Sequence, residues 1–121
     1  MTIKDADTKQ FALSVIEGLH KKKAKDVVSL DMSEMENAIC RCFIICHGDS
    51  NTHVDGLCDA VEEHVRKETG RKPFHVEGQD NSTWVLMDYG ELVVHIFQKE
   101  YRELYKLEDL WADAPVTTYD D

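Results

Sequence analysis

The sequence predicts an α/β fold: a single mixed sheet of about five strands flanked by two or three helices. Three observations carry that expectation. Apolar residues recur at i, i+3, i+4 and i+7, the spacing of an amphipathic helix, over residues 12–19 and again over 54–65. The run Cys42-Phe43-Ile44-Ile45-Cys46 is apolar on both strand faces, as in a central strand covered on both sides. Residues 83–97 alternate with period two around Tyr89-Gly90, the pattern of a β-hairpin. The 121 residues suit one domain, 1–121, long enough to bury roughly two-thirds of its unfolded surface.

The elements follow in order. Residues 5 to about 20 read as a helix in which Ala12, Val15, Ile16 and Leu19 share a face, with Asp7 or Thr8 as N-cap. The cationic run K-K-K-A-K lies just past its end, where positive charge suits the helix dipole. Such a run usually forms a solvated cluster, and an RNA contact is its alternative use. Residues 26–32 (D-V-V-S-L-D-M) read as a first strand and 38–47 as a second. Gly48 stops the second, and Ser50 or Asn51 caps a helix whose stripe is Val54, Leu57, Cys58, Val61 and Val65. Thr69-Gly70 ends that helix. A short strand at 73–77, a hairpin of 83–88 with 91–97, and a helix from 98 to about 105 complete the pattern. From Ala114 onward A-P-V-T-T-Y-D-D reads as a loose acidic tail over 115–121.

Fourteen Lys and Arg stand against twenty-four Asp and Glu, a formal charge of −10. Nucleic-acid binding depends on Lys and Arg displacing counterions from phosphate, so little direct contact with nucleic acid is expected. A basic protein surface is a natural partner for such a chain, although acidity also simply favours solubility. No apolar run approaches the roughly twenty residues of a membrane span. The N-terminal M-T-I-K-D-A-D-T-K-Q lacks the apolar core of a signal peptide, and the protein is expected in the cytoplasm. Cys40, Cys42, Cys46 and Cys58 are then expected as reduced thiols. Cys40, Cys42 and Cys46 share strand parity, and C-x-C-x-x-x-C matches no common zinc spacing. They read as small core residues, and neither metal nor cofactor is expected.

The hairpin separates into two faces. With Tyr89-Gly90 as a two-residue turn, Asp88 lies opposite Glu91, Leu86 opposite Val93 and Trp84 opposite His95. Val85, Met87, Leu92, Val94 and Ile96 form an aliphatic core face. Trp84, Leu86, Asp88, Val93, His95 and Phe97 form a ring-bearing strip with polar members, the profile of a surface covered when a partner arrives. The bland alternative is that a helix of the same chain covers the strip. Asp88 opposite Glu91 would be a like-charge pair of no use to a lone monomer. The strip also suits a two-fold homodimer of the free protein, and His95 is a candidate source of sensitivity below about pH 6.5.

Several ordered segments resemble the ribosomal silencing factor, or Iojap-like, family: D-V-V-S-L-D (26–31), F-I-I-C-H-G (43–48), S-N-T-H-V (50–54), V-E-G (76–78), W-V-L-M-D-Y-G-E-L-V-V-H-I-F (84–97) and R-E-L-Y-K-L-E-D-L-W (102–111). Together they span most of the chain, from about 24 to 114. The resemblance implies a sheet similar to that of nucleotidyltransferases and a non-enzymatic task. That task is binding protein number fourteen of the large ribosomal subunit, sterically preventing the small subunit from joining, and so repressing translation when nutrients are scarce. It also implies a docking surface around the hairpin and the segment after it. The candidates there are Trp84, Asp88, Tyr89, His95, Phe97, Arg102, Tyr105, Leu107 and Glu108. Arg41 departs from the family, which usually has Asp at that position.

Two other functions compete with this reading. A nucleotidyltransferase-like enzyme would hold phosphate at Gly48-Asp49-Ser50, on the amides of a helix N-terminus. It would also need clustered carboxylates for divalent ions. The sequence has no adjacent D-x-D, Asp31 and Asp49 belong to different elements, and Gly48-Asp49-Ser50 is more simply a strand stop and helix cap. The other reading is an acidic module that binds a different basic protein.

Overall fold

Both apolar stripes become helices, and both turn those stripes onto the same side of one sheet. The structure, a computed structural model, describes residues 6–36 and 38–120. Helix α1 is Ala6–Lys21 and α2 is Asn51–Thr69, between strands β1 (Lys25–Asp31), β2 (Cys42–Gly48), β3 (His75–Glu77), β4 (Trp84–Asp88), β5 (Leu92–Gln98) and β6 (Val116–Tyr119). Two short helices, α3 (Lys99–Tyr105) and α4 (Leu107–Leu110), lie between β5 and β6. The six strands run in the order β3-β4-β5-β2-β1-β6. Among the described residues only the central β2–β5 pair is parallel; the other pairs are antiparallel.

The local signals account for most boundaries. Ser50 caps α2 in extended geometry, its hydroxyl accepting the His53 N–H at 3.0 Å, which satisfies one amide left orphaned by the first turn. Gly70, at φ +76°, ends the helix with its N–H on the Arg66 carbonyl at 2.9 Å. In α1 the proposed caps Asp7 and Thr8 lie inside the helix, which is described from Ala6; the expected start at position 5 lies outside the described residues. Thr8 instead donates to Glu91 Oε2 at 3.1 Å, tying α1 to the end of the hairpin.

Two cores result. On the helix side Ala12, Val15, Leu19, Leu57 and Val61 pack against Cys42, Ile44, Val94 and Ile96. On the other side Leu30, Phe43, Ile45, Val93 and Phe97 are covered by Met35, Ala38, Tyr101, Leu107 and Trp111. The chain thus builds this second cover from a loop and from the two short helices α3 and α4.

Three expectations are corrected. The predicted loose tail contains β6, paired antiparallel with β1 from Leu30↔Val116 to Val27↔Tyr119. The Tyr119 hydroxyl also lies 2.9 Å from Ser29 Oγ. Val, Thr and Tyr are strand formers, and the acidic residues around them obscured the signal. The second strand begins at Cys42 instead of 38. Cys40 therefore escapes its parity and packs in the second core, while Cys42 and Cys46 face the helices. In the hairpin, Trp84 pairs with Phe97, Leu86 with His95 and Asp88 with Val93, so Asp88 does not oppose Glu91. Residues 89–91 form a longer connection, closed by Tyr89 N–H on the Leu92 carbonyl at 2.9 Å. The register slips by two, which preserves parity, so both predicted faces survive.

Candidate functional site

The ring-bearing strip lies on the second face, under and beside α3. The Trp84 ring stacks on Phe97, with centroids 5.0 Å apart and planes 23° apart, and meets Tyr105 at 5.0 Å. Its Nε1–H donates to His95 Nδ1 at 3.1 Å. That acceptor role places the His95 proton on Nε2, which is buried without a hydrogen-bond partner among the described residues. The imidazole also meets the Phe43 ring edge-on at 4.7 Å. Burial pushes the His95 pKa down to about 4, because charging it would cost solvation that nothing nearby returns.

The expected sensitivity of His95 below about pH 6.5 therefore falls on stability, because the folded imidazole itself titrates only near about 4. Folded His95 stays neutral while the unfolded chain takes up a proton below about 6.5. Stability present above about pH 6.5 is lost as the pH falls towards about 4, at about 1.4 kcal/mol per unit. His95→Asn keeps an acceptor for Trp84 and removes the titration. Urea melts at pH 7 and pH 5 should show the native chain losing about 2 kcal/mol more than the variant. Equal losses would refute the burial argument.

Beside the rings, Arg102 fastens α3 to the sheet. Its Nε and Nη2 donate to the two Glu108 carboxylate oxygens at 3.0 and 3.1 Å, a bidentate fork. Its Nη1 donates to the Asp26 carbonyl at 2.8 Å and to His47 Nδ1 at 3.0 Å. The Asp26 carbonyl is available because β1 is irregular there: the register with β2 shifts between Lys25 and Val28, and Asp26 has φ +48°. Lys106, also left-handed at φ +48°, breaks the helix between α3 and α4, which lets Glu108 return to Arg102. Burial, and then the Arg102 charge, hold the His47 pKa below the usual imidazole value.

The structure sorts the candidate residues. Tyr89 (1% exposed), His95 (4%) and Phe97 (0%) are buried, so these three do not present their rings to water. Tyr89 lies on the opposite core, edge-on to Phe11 of α1 at 5.1 Å. Asp88 Oδ1 accepts the Gly90 N–H at 2.7 Å and so shapes the hairpin connection. Arg102 and Glu108 are engaged with each other. Trp84 and Leu107 are half-buried, and Tyr105 is 53% exposed. Leu104 and Leu110, at 69% and 72% exposed, were missed. Their signal was available: leucines at 104, 107 and 110 cannot all turn inward once the helix breaks at Lys106, and Leu107 is the one packed on the second core.

The features expected of a phosphate site are otherwise employed. At the start of α2 the Thr52 N–H donates to Asn51 Oδ1 at 2.9 Å and the His53 N–H to Ser50. With its amide oriented to satisfy both neighbours, Gln98 accepts the Asn51 N–H at 2.8 Å. Beside Arg102 runs a groove of about 570 Å³. It mixes Lys99 and Lys106 with Asp26, Glu103, Asp109 and Asp120, a lining without the single sign that selects an anion. Among the described residues no helix is long and apolar enough to cross a membrane.

A six-stranded mixed sheet with one helical layer, and a ring-lined face fastened beneath two short helices, defines a small α/β protein built around a surface. The family model described as "Ribosomal silencing factor during starvation" matches residues 5–121. The ribosomal silencing factor of Bacillus subtilis is 38% identical over 82% of this chain and 82% of its own length. That of Haemophilus influenzae is 34% identical over 85% and 96%. The crystal structure of a Chromobacterium violaceum protein superposes with a TM-score of 0.80 at 33% identity, covering 93% of this chain and 88% of that one. Matches extend to the chloroplast Iojap protein of Zea mays, 29% identical, of whose length 47% is covered. The chain belongs to the ribosomal silencing factor family, whose members are regulatory factors of translation associated with the ribosome.

Proposed function

We propose that this protein represses translation in the cytoplasm by docking on protein number fourteen of the large ribosomal subunit and so keeping the small subunit from joining. No bond is made or broken. The observation that carries the reading is the outer surface of α3–α4, where Leu104, Tyr105 and Leu110 are exposed and Tyr105 meets the half-buried Trp84. Apolar side chains held out on a rigidly fastened element suit an anchor that enters a partner's pocket. The charge of −10 supports a basic partner and disfavours stray contact with RNA. Trp84, Tyr105 and Leu107 are the contact candidates from the hairpin and its sequel. His95 and Phe97 hold Trp84 in place, and Arg102 and Glu108 hold the helices.

Leu104→Asp tests the reading. Neither the cores nor the Arg102 fork include Leu104, so the melting temperature should remain within a degree or two. Co-sedimentation with purified large subunits should weaken at least about tenfold, roughly 1.4 kcal/mol. Subunit joining on sucrose gradients should recover in parallel. Undiminished binding by the Asp variant would remove this surface from the interface. Binding to a basic protein but not to large subunits would favour the other acidic-module reading.

A further inference from the structure

The α1–α2 seam, away from the ring-bearing face, holds a cluster that the docking surface does not use. His64 lies in the seam with its side chain 9% exposed, and its Nε2 sits 3.1 Å from Glu17 Oε2 and 3.3 Å from Glu68 Oε1. His64 and Glu68 are one helical turn apart on α2, which puts both on one face. Glu17 comes from α1. The crossing is close because the residue after Glu17 is Gly18, where an added Cβ would lie 3.2 Å from both the His64 Cβ and the Val61 Cα. Ser14 Oγ donates to Glu68 Oε1 at 2.9 Å, which fixes the direction of that carboxylate.

We propose that His64, Glu17 and Glu68 form a site for a divalent transition-metal ion of the zinc class. One ligand atom from each residue lies within 4.8 Å of the other two. Donors bound at about 2.0–2.2 Å around a tetrahedral centre stand roughly 3.3–3.5 Å apart, close to the spacing of Nε2 from both carboxylates. One imidazole nitrogen with two carboxylate oxygens suits zinc, cobalt or nickel better than calcium or magnesium, which favour oxygen alone. Three protein ligands at a partly exposed seam leave a position for water. The Ser14 hydroxyl acts as the outer-shell partner that orients a ligand. On binding, Nε2 gives its lone pair to the metal, and any proton it shared with the carboxylates is released to solvent. Affinity therefore falls as the pH falls. The ion would link α1 to α2 and raise the stability of the seam.

Full-length protein stripped with chelator is titrated with Zn²⁺ by calorimetry and with Co²⁺ by its visible absorption. The expected result is one equivalent bound, with a rise in melting temperature on adding Zn²⁺. Affinity should weaken at least about tenfold in Glu68→Gln and in His64→Gln. Glu63→Gln, on the exposed side of α2, should leave it unchanged. Should His64→Gln fail to fold by circular dichroism, the exposed Glu17→Gln carries the same decision. The proposal is overturned if no saturable one-to-one binding occurs, or if the cluster variants bind as tightly as the native chain; the cluster would then be an ion pair only. It is also overturned if binding disappears in His75→Gln, since His75 and Glu77 form a separate exposed pair on β3.

Discussion

Gly78→Ala is expected to destabilise the fold by at least about 3 kcal/mol, seen as a large fall in the urea midpoint. Gly78 has φ +89°, and an added Cβ would run into the Trp84 carbonyl oxygen and crowd the Val85 Cα at 3.3 Å. Those are backbone atoms of β4, paired on one side with β3 and on the other with β5, so neither neighbour can give way cheaply. Gly70 supplies the contrast. It is also left-handed, at φ +76°, but nothing lies within 4 Å of its added Cβ. Gly70→Ala should therefore cost only the conformational penalty, about 1 kcal/mol. If the two variants melt alike, the clash at Gly78 is relieved by movement that the structure does not suggest. Because Gly78 abuts the first residue of β4, its variant should also disturb the setting of Trp84.

Trp84→Ala should cost about 3 kcal/mol of stability, near the lower end for a large aromatic truncated in a core. The indole is only half-buried, which limits the loss. Its removal nevertheless leaves the ring contacts of Phe97 and Tyr105 unfilled and deprives buried His95 Nδ1 of its donor. An acceptor buried without a partner adds about 1–3 kcal/mol to such a loss. Trp84→Phe keeps the ring packing and loses the hydrogen bond, so it should fall between. Thermal melts of the three proteins give the order, and an alanine variant as stable as the native chain would show that Trp84 is a surface residue. Reduced binding by Trp84→Ala is consequently no evidence for direct contact, which is why Leu104→Asp is the sharper probe of docking.

Much of the architecture was legible because it depends on periodicity. The α1 and α2 stripes, the Ser50 cap, the Gly70 stop and the two faces of the hairpin all follow from repeats of 3.6 or 2 residues. The hairpin faces stayed correct even with the register wrong, since a slip of two residues does not exchange them. The exposure of the rings was not legible. Whether Phe97 and His95 meet water depends on α3–α4, whose placement rests on Arg102 reaching a carbonyl freed by the irregularity at Asp26. That contact joins positions 76 residues apart, and no local pattern announces it. The same limit hid Tyr89, whose ring turns towards α1 instead of joining the strip. The β6 strand was short and set among carboxylates, so composition outweighed a pattern only four residues long.

The four thiols have a consequence for life under oxidants. Each is buried, and burial lifts all four pKa values to about 12. Peroxide and disulfide exchange act on the thiolate, which at neutral pH is then a vanishing fraction. Sulfur lies in both cores, Cys40 on one side of the sheet and Cys42, Cys46 and Cys58 on the other. A cell stressed enough to alter its small reactive molecules would leave the thiols of the folded chain untouched, and cysteine damage would mark molecules that had already opened.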